Sequence, residues 1–289
     1  MLSGCATPHK EATQSISQDS VTSVKLDTRT EFSVSRVVSL ANGVAEILES
    51  LNAHEILVGR DISSTEKALA DIPIVTSGHQ IIAEKVISLQ PDLVIIDASS
   101  GPKAAIDQIK SAGLRVVQTP ESWSLEDIPT KVRAVGVAIG ALAQAEVLIS
   151  RMNSEITTVK VEHAPKIAFL YLRGTSSIYL IGGPGSGADS LIKAVGGVDV
   201  GAQSLKNPFN TLTAESLATL NPDVILVMSK GLESVGGVNG LLKLPGVAQS
   251  TAGKNRAIID VDDSLLLSFG PRTPSLVKAL AKALHQVHP

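Results

Sequence analysis

Short apolar runs alternate with segments of helical spacing along most of this chain, a pattern that predicts parallel sheets covered by helices. The runs at 36–40, 56–58, 74–75, 93–96 and 114–117 read as strands, with helices predicted at 45–51, 83–89 and 103–112. Residues 125–163 carry no strand pattern, and 132–161, rich in Ala, Leu, Val and Ile, keep helical spacing. Strands resume at 167–172, 178–181, 224–227 and 257–259, and a final helix is predicted over 275–287.

The two flanks of the helical stretch repeat one another. Ala83-Glu84 followed by Leu89-Gln90-Pro91-Asp92-Leu93-Val94-Ile95 recurs as Ala214-Glu215 followed by Leu220-Asn221-Pro222-Asp223-Val224-Ile225-Leu226. Ala45-Glu46-Ile47-Leu48 aligns with Ala188-Asp189-Ser190-Leu191, and Arg115 with Arg256, in the same order. The expected fold is therefore α/β, two similar lobes with mostly parallel sheets joined by a long interdomain helix. A ligand cleft is expected between the lobes, at the carboxyl ends of the strands. The boundaries read as a polar tether at 1–33, a first lobe at 34–124, a helical connector at 125–163 and a second lobe at 164–289.

Composition narrows the function. With 44% hydrophobic and 18% charged residues the chain has enough apolar side chains for sizeable cores. A net charge of -3 with four Phe, two Tyr and one Trp supplies no basic, aromatic-laced stripe, so no nucleic-acid partner is expected. No apolar run is long enough to span a bilayer. The single cysteine, Cys5, permits no intramolecular disulfide.

Two glycine-rich or catalytic signals come to nothing. Gly182-Gly183-Pro184-Gly185-Ser186-Gly187 has P-loop spacing, but Ala188-Asp189 stands where Lys and Ser/Thr are needed, so it reads as a strand-to-helix turn. No G-x-S-x-G elbow is present and the six histidines form no zinc-type spacing, so the chain is not expected to be an enzyme. Capture of manganese or zinc by distant His and carboxylate ligands stays open.

The informative residues are His79, Tyr171 and Arg173. On a strand through 167–173, Tyr171 and Arg173 share a face, and a guanidinium beside a phenol favours the phenolate, a hard donor for ferric iron. Tyr is one of the axial ligands haem accepts. His79 lies in a loop just past a strand of the first lobe, where a neutral imidazole can ligate from the opposite side. Each has a plainer alternative: His79 as a solvated loop residue, Tyr171 as a core aromatic with a satisfied hydroxyl.

Read together, Ala45-Glu46-Ile47-Leu48, Thr76-Ser77-Gly78-His79, Leu89-Gln90-Pro91-Asp92-Leu93, Gly185-Ser186-Gly187-Ala188-Asp189, Leu244-Pro245-Gly246-Val247-Ala248 and Phe269-Gly270-Pro271-Arg272 resemble the haem-binding lipoproteins of bacterial haem ABC importers. These belong to a helix-hinged class that also serves cobalamin and ferric siderophores, which are the alternative ligands. The resemblance implies b-type haem carried as cargo for iron uptake, with His79 and Tyr171 as axial ligands and Arg173 hydrogen-bonding Tyr171. It implies partners in an ABC permease and its ATPase, docked through Glu46 and Asp189, and a monomer. Arg60, Lys230 and Arg272 are weaker candidates for the propionates, and Val75, Ile81, Met228 and Phe269 for apolar lining. Leu2-Ser3-Gly4-Cys5 resembles the lipobox, so Cys5 is expected to be lipidated and the protein anchored outside the cytoplasmic membrane, with 6–33 as a disordered tether.

Overall fold

The computed structural model describes residues 13–28, 31–156 and 164–288. Of these, residues 17–156 with 262–279 make one compact unit, and 13–16, 164–261 and 280–288 make another. Strand β1 (Gln14–Ile16) precedes the first unit.

In the first unit, β2 (Val37–Ser39), β3 (Leu57–Arg60), the hairpin β4 (Thr76–Ser77) and β5 (Gln80–Ile81), β6 (Leu93–Ile96) and β7 (Val116–Gln118) follow in order. The main sheet runs β3-β2-β6-β7, every pair parallel. Both faces of β2 and β6 are covered, which is why these strands read as unbroken apolar runs rather than alternating ones. The run at 74–75, expected as a strand, makes only a single bridge, Ile74 to Arg60, and the chain turns into the β4–β5 hairpin instead.

The second unit holds β8 (Lys166–Arg173), β9 (Ile178–Gly182), β10 (Val198–Asp199), β11 (Phe209–Thr211), β12 (Val224–Met228) and β13 (Ile258–Val261). Its sheet runs β1-β13-β12-β8-β9-β11, with β10 on the start of β8. The β1, β13, β12 and β8 pairings are parallel, whereas β9 and β11 add antiparallel. Its core sets Ala168, Leu170, Leu172, Ile181, Ile225 and Val227 against the surrounding helices.

The sequence repeat has an atomic counterpart. Asp92 accepts the N–H groups of Ser35 and Arg36 at 2.7 and 3.1 Å, while its own N–H donates to the Arg36 carbonyl. Asp223 does the same to Lys166, at 3.0 and 2.8 Å. Each Pro-Asp thus ties the entry of one central strand to its neighbour.

Two expectations are corrected. The tether does not run disordered to residue 33: Gln14–Ile16 pairs in parallel with β13, Ser15 donates to Asp260 at 2.8 Å, and Val21, Val24 and Leu26 are buried. So few apolar residues among so many polar ones give no periodicity, and their burial depends on partners far along the chain. The connector is also not one long helix. Helices Ile128–Ile139 and Leu142–Glu155 are separated at Gly140, whose φ of 78° is a left-handed C-cap that favours glycine. They pack on one another where Gly136 lacks a side chain; a Cβ there would lie 2.5 Å from that of Ala145. Residues 157–163 lie outside the described residues.

A candidate ligand platform on the second sheet

Along β8, alternate residues Ile167, Phe169, Tyr171 and Arg173 share one face, the first two buried, Tyr171 half-buried and Arg173 exposed. Cover over the sheet therefore runs out at the carboxyl end of β8, where open α/β sheets present ligand sites. The register places Leu180 opposite Tyr171, Ile178 opposite Arg173, and Thr211 opposite Leu180, with Phe209 opposite Gly182. All of these lie on the same face. The result is a partly exposed apolar surface of Ile178, Leu180 and Phe209 around one phenol and one guanidinium.

The polar pair is tightly arranged. The Arg173 Nε–H donates to the Tyr171 Oη at 2.6 Å, and the guanidinium carbon lies 5.2 Å from the centre of the Tyr171 ring. Phe209 packs edge-on against Tyr171 at 5.6 Å between centroids, a second contact on the ring. With Arg173 as donor, the phenol oxygen keeps lone-pair capacity for an electrophile.

His79 is at the tip of the β4–β5 hairpin, exposed, in the two-residue turn Gly78-His79. Gly78 has φ +55° at the first central position, as tight hairpin turns with glycine there require. No hydrogen bond holds the imidazole among the described residues.

Other expected site residues have different surroundings. Glu46 is buried in the helix Val44–Ser50, 2% exposed, where it pairs with Arg272 Nε at 3.1 Å and accepts the Arg272 N–H at 2.6 Å and the Ser23 hydroxyl at 3.1 Å. It is thus not a surface contact in this structure. The reason is the Phe269-Gly270-Pro271-Arg272 turn folded onto that helix, where a Cβ on Gly270 would reach within 3.1 Å of the Glu46 carboxylate. Arg272, also bonded to Glu66 at 2.5 Å, is correspondingly unavailable as an anion contact. Arg60 is buried too, and donates to the carbonyls of Leu69 and Ser64 at 2.9 and 2.8 Å. Val75, Ile81, Met228 and Phe269 are core residues rather than ligand lining.

Asp189 is half-buried at the start of the helix Ala188–Ala194, accepting the N–H groups of Gly185 and Gly187 at 2.8 and 3.1 Å. The glycine loop therefore wraps its own carboxylate, in keeping with a strand-to-helix turn. Nearby Asp199 has its pKa pushed up to about 6, by burial first and then by the Asp189 charge, against the Ala202 N–H that it caps. Cys5 lies outside the described residues. Among the described residues no three His, Cys, Asp or Glu side chains gather as a metal site, and no helix is long and apolar enough to cross a membrane.

What the sequence reading missed is the apolar half of the platform. Phe209 sits in a strand too short to show a period, and the facing of Ile178 and Leu180 depends on antiparallel register.

Residues 37–265 match the family described as periplasmic binding protein, and the chain belongs to that family. It is similar to the periplasmic heme-binding protein RhuT from Roseiflexus sp. RS-1, 36% identical over 88% of this chain and 99% of that one, with a TM-score of 0.82. It is similar also to the heme binding protein HmuT, 34% identical over 95% of both chains, with a TM-score of 0.80. HmuT has been solved with a histidine, a tyrosine and an arginine each replaced by alanine, the arginine two positions after the tyrosine. By sequence, an uncharacterized ABC transporter substrate-binding lipoprotein of Bacillus subtilis (strain 168), YvrC, is 25% identical over 99% of this chain and 93% of its own.

Proposed function

We propose that this chain captures haem outside the cytoplasm and delivers it to an ABC permease, with Tyr171 as an axial ligand of the haem iron and Arg173 as the positioning residue for Tyr171. The observation that carries this reading is the 2.6 Å hydrogen bond from Arg173 to the Tyr171 oxygen on a half-exposed apolar sheet face. A phenolate that ligates ferric iron keeps negative charge on its oxygen, and a guanidinium donor stabilises that charge. Ile178, Leu180 and Phe209 offer the apolar contact that a porphyrin face needs.

His79 is the proposed second axial ligand. Its support is a free imidazole on an exposed hairpin tip, together with the histidine, tyrosine and arginine chosen for replacement in HmuT. Lipidation at Cys5, permease contact through Asp189, a monomeric state and a role in iron uptake belong to the same proposal.

The test is haemin titration followed in the visible spectrum, with cobalamin and ferric siderophores as parallel ligands. A saturable Soret change that Tyr171→Ala abolishes and His79→Ala shifts supports the reading. A Soret change untouched by Tyr171→Ala removes Tyr171 from the site. Saturable binding of cobalamin or a ferric siderophore with none of haemin reassigns the cargo within the family.

A further inference from the structure

Residues 17–26 of the first unit lie over a buried charge cluster that the proposed function does not use. Arg272 forms ion pairs with both Glu46 and Glu66, at 3.1 and 2.5 Å, all three side chains largely buried. One guanidinium between two carboxylates leaves a surplus negative charge where charge is costly to bury. A cavity of about 150 Å³ adjoins the cluster, and its outer wall is made by Gln18, Asp19, Ser23 and Lys25.

The covering segment is held by a small set of polar contacts. Ser23 donates to Glu46, Lys25 pairs with Glu49 at 3.6 Å, and Lys67 pairs with Asp19 at 2.6 Å. The N–H groups of Val24 and Leu26 donate to the carbonyls of Pro271 and Ser50 at 3.1 and 2.8 Å. Val21, Val24 and Leu26 are the apolar anchors.

We propose that residues 17–26 form a proton-linked strap, closed over the Glu46–Arg272–Glu66 cluster while Glu66 carries a proton, and loosened when Glu66 is charged. With a proton on Glu66 the cluster is neutral and tolerates a dry cover. Without it the surplus charge gains by admitting water, and the adjoining cavity has room for it.

The charged groups around Glu66 support this direction. Burial pushes its pKa up to about 7, against the pull of Arg272 and helped by Glu46 and Asp61. From the strap, Asp19 and Lys25 face the same cavity, as do Glu49 and Lys67 from the elements beneath. Lys131, whose charge acts on Glu46, and His54, bonded to Glu49, complete the set. The sign follows from linkage. An acid whose pKa is raised from 4.5 in the closed state favours that state at low pH, and loses the advantage as pH rises from 4.5 through about 7. If opening restores an ordinary pKa, the opening constant rises about tenfold between about pH 6 and about pH 8.

Opening uncovers Glu46, so permease docking through that residue would require the open strap. That consequence rests on the resemblance; the strap itself does not. The experiment is hydrogen exchange on the full chain without haem or permease, corrected for intrinsic rates, reading the amides of Val24 and Leu26 at about pH 6 and about pH 8. Their protection should fall about tenfold between the two pH values while the amides of β6 stay constant, and Glu66→Gln should keep them protected at both. Equal protection at both pH values in the parent, or an unchanged fall in Glu66→Gln, overturns the proposal. Should that variant not fold, the carboxyl carbon resonance of Glu66 in the parent decides: titration near pH 7 supports the strap, and titration near pH 4.5 sinks it. None of these readouts involves haem, so a failed haem titration leaves the strap standing, and the reverse holds too.

Discussion

Tyr171 and Arg173 show what two positions on one strand can specify. Period two puts them on one face, and the structure adds the donor geometry, the edge-on Phe209 and the exposure. Loss of the charge-assisted bond in Arg173→Ala should weaken haemin binding by roughly one order of magnitude while leaving the fold intact, measured by titration and far-UV circular dichroism. His79→Ala, at an exposed tip, should change stability by no more than about 0.5 kcal/mol, so any spectral change it causes belongs to the ligand.

Lys131 is a different case at the same scale. It is buried among the carbonyls of Asn42 and Ser268, at 3.2 and 2.6 Å, and burial lowers its pKa to about 8 despite the carboxylates of Glu46 and Asp97. A cation disfavoured in the folded state makes stability rise with pH from about 8 to 10.5, since the unfolded chain binds the extra proton there. Denaturant unfolding should show that rise in the parent but not in Lys131→Met; equal slopes would argue that the amine is solvated.

At the scale of elements, Gly136 and β1 carry the sharpest expectations. Gly136→Val would drive a side chain into Ala145 across the contact of helices Ile128–Ile139 and Leu142–Glu155, costing about 1–3 kcal/mol in a denaturant unfolding curve. Deleting residues 1–16 leaves an edge of β13 unpaired and should lower the melting temperature; an unchanged melt would mean that β1 adds nothing to the sheet. Helices and buried strands were legible because their patterns are local. The break at Gly140 was not, because an Ala- and Val-rich run keeps its helical spacing on both sides of a single glycine. The β4–β5 hairpin leaves no pattern in the sequence for a related reason, since two-residue strands are too short to show a period.

For the molecule as a whole, a bound ligand should stabilise the folded chain by mass action. Haemin at about one hundred times its Kd adds about 2.7 kcal/mol, visible as a higher melting temperature that Tyr171→Ala abolishes. No shift in the parent at saturating haemin would count against a specific site.

The sequence alone determined the α/β class, the internal repeat and the Tyr-x-Arg pair, because periodicity and repetition are properties of neighbouring positions. Only the tertiary structure decided that residues 14–26 are ordered, that Glu46 is buried and that Phe209 meets Tyr171. Each of those depends on a partner distant in sequence: Arg272 lies 226 positions from Glu46, and Asp260 lies 245 from Ser15. Burial and charge pairing are set by what folds on top of a residue, and no local pattern records that.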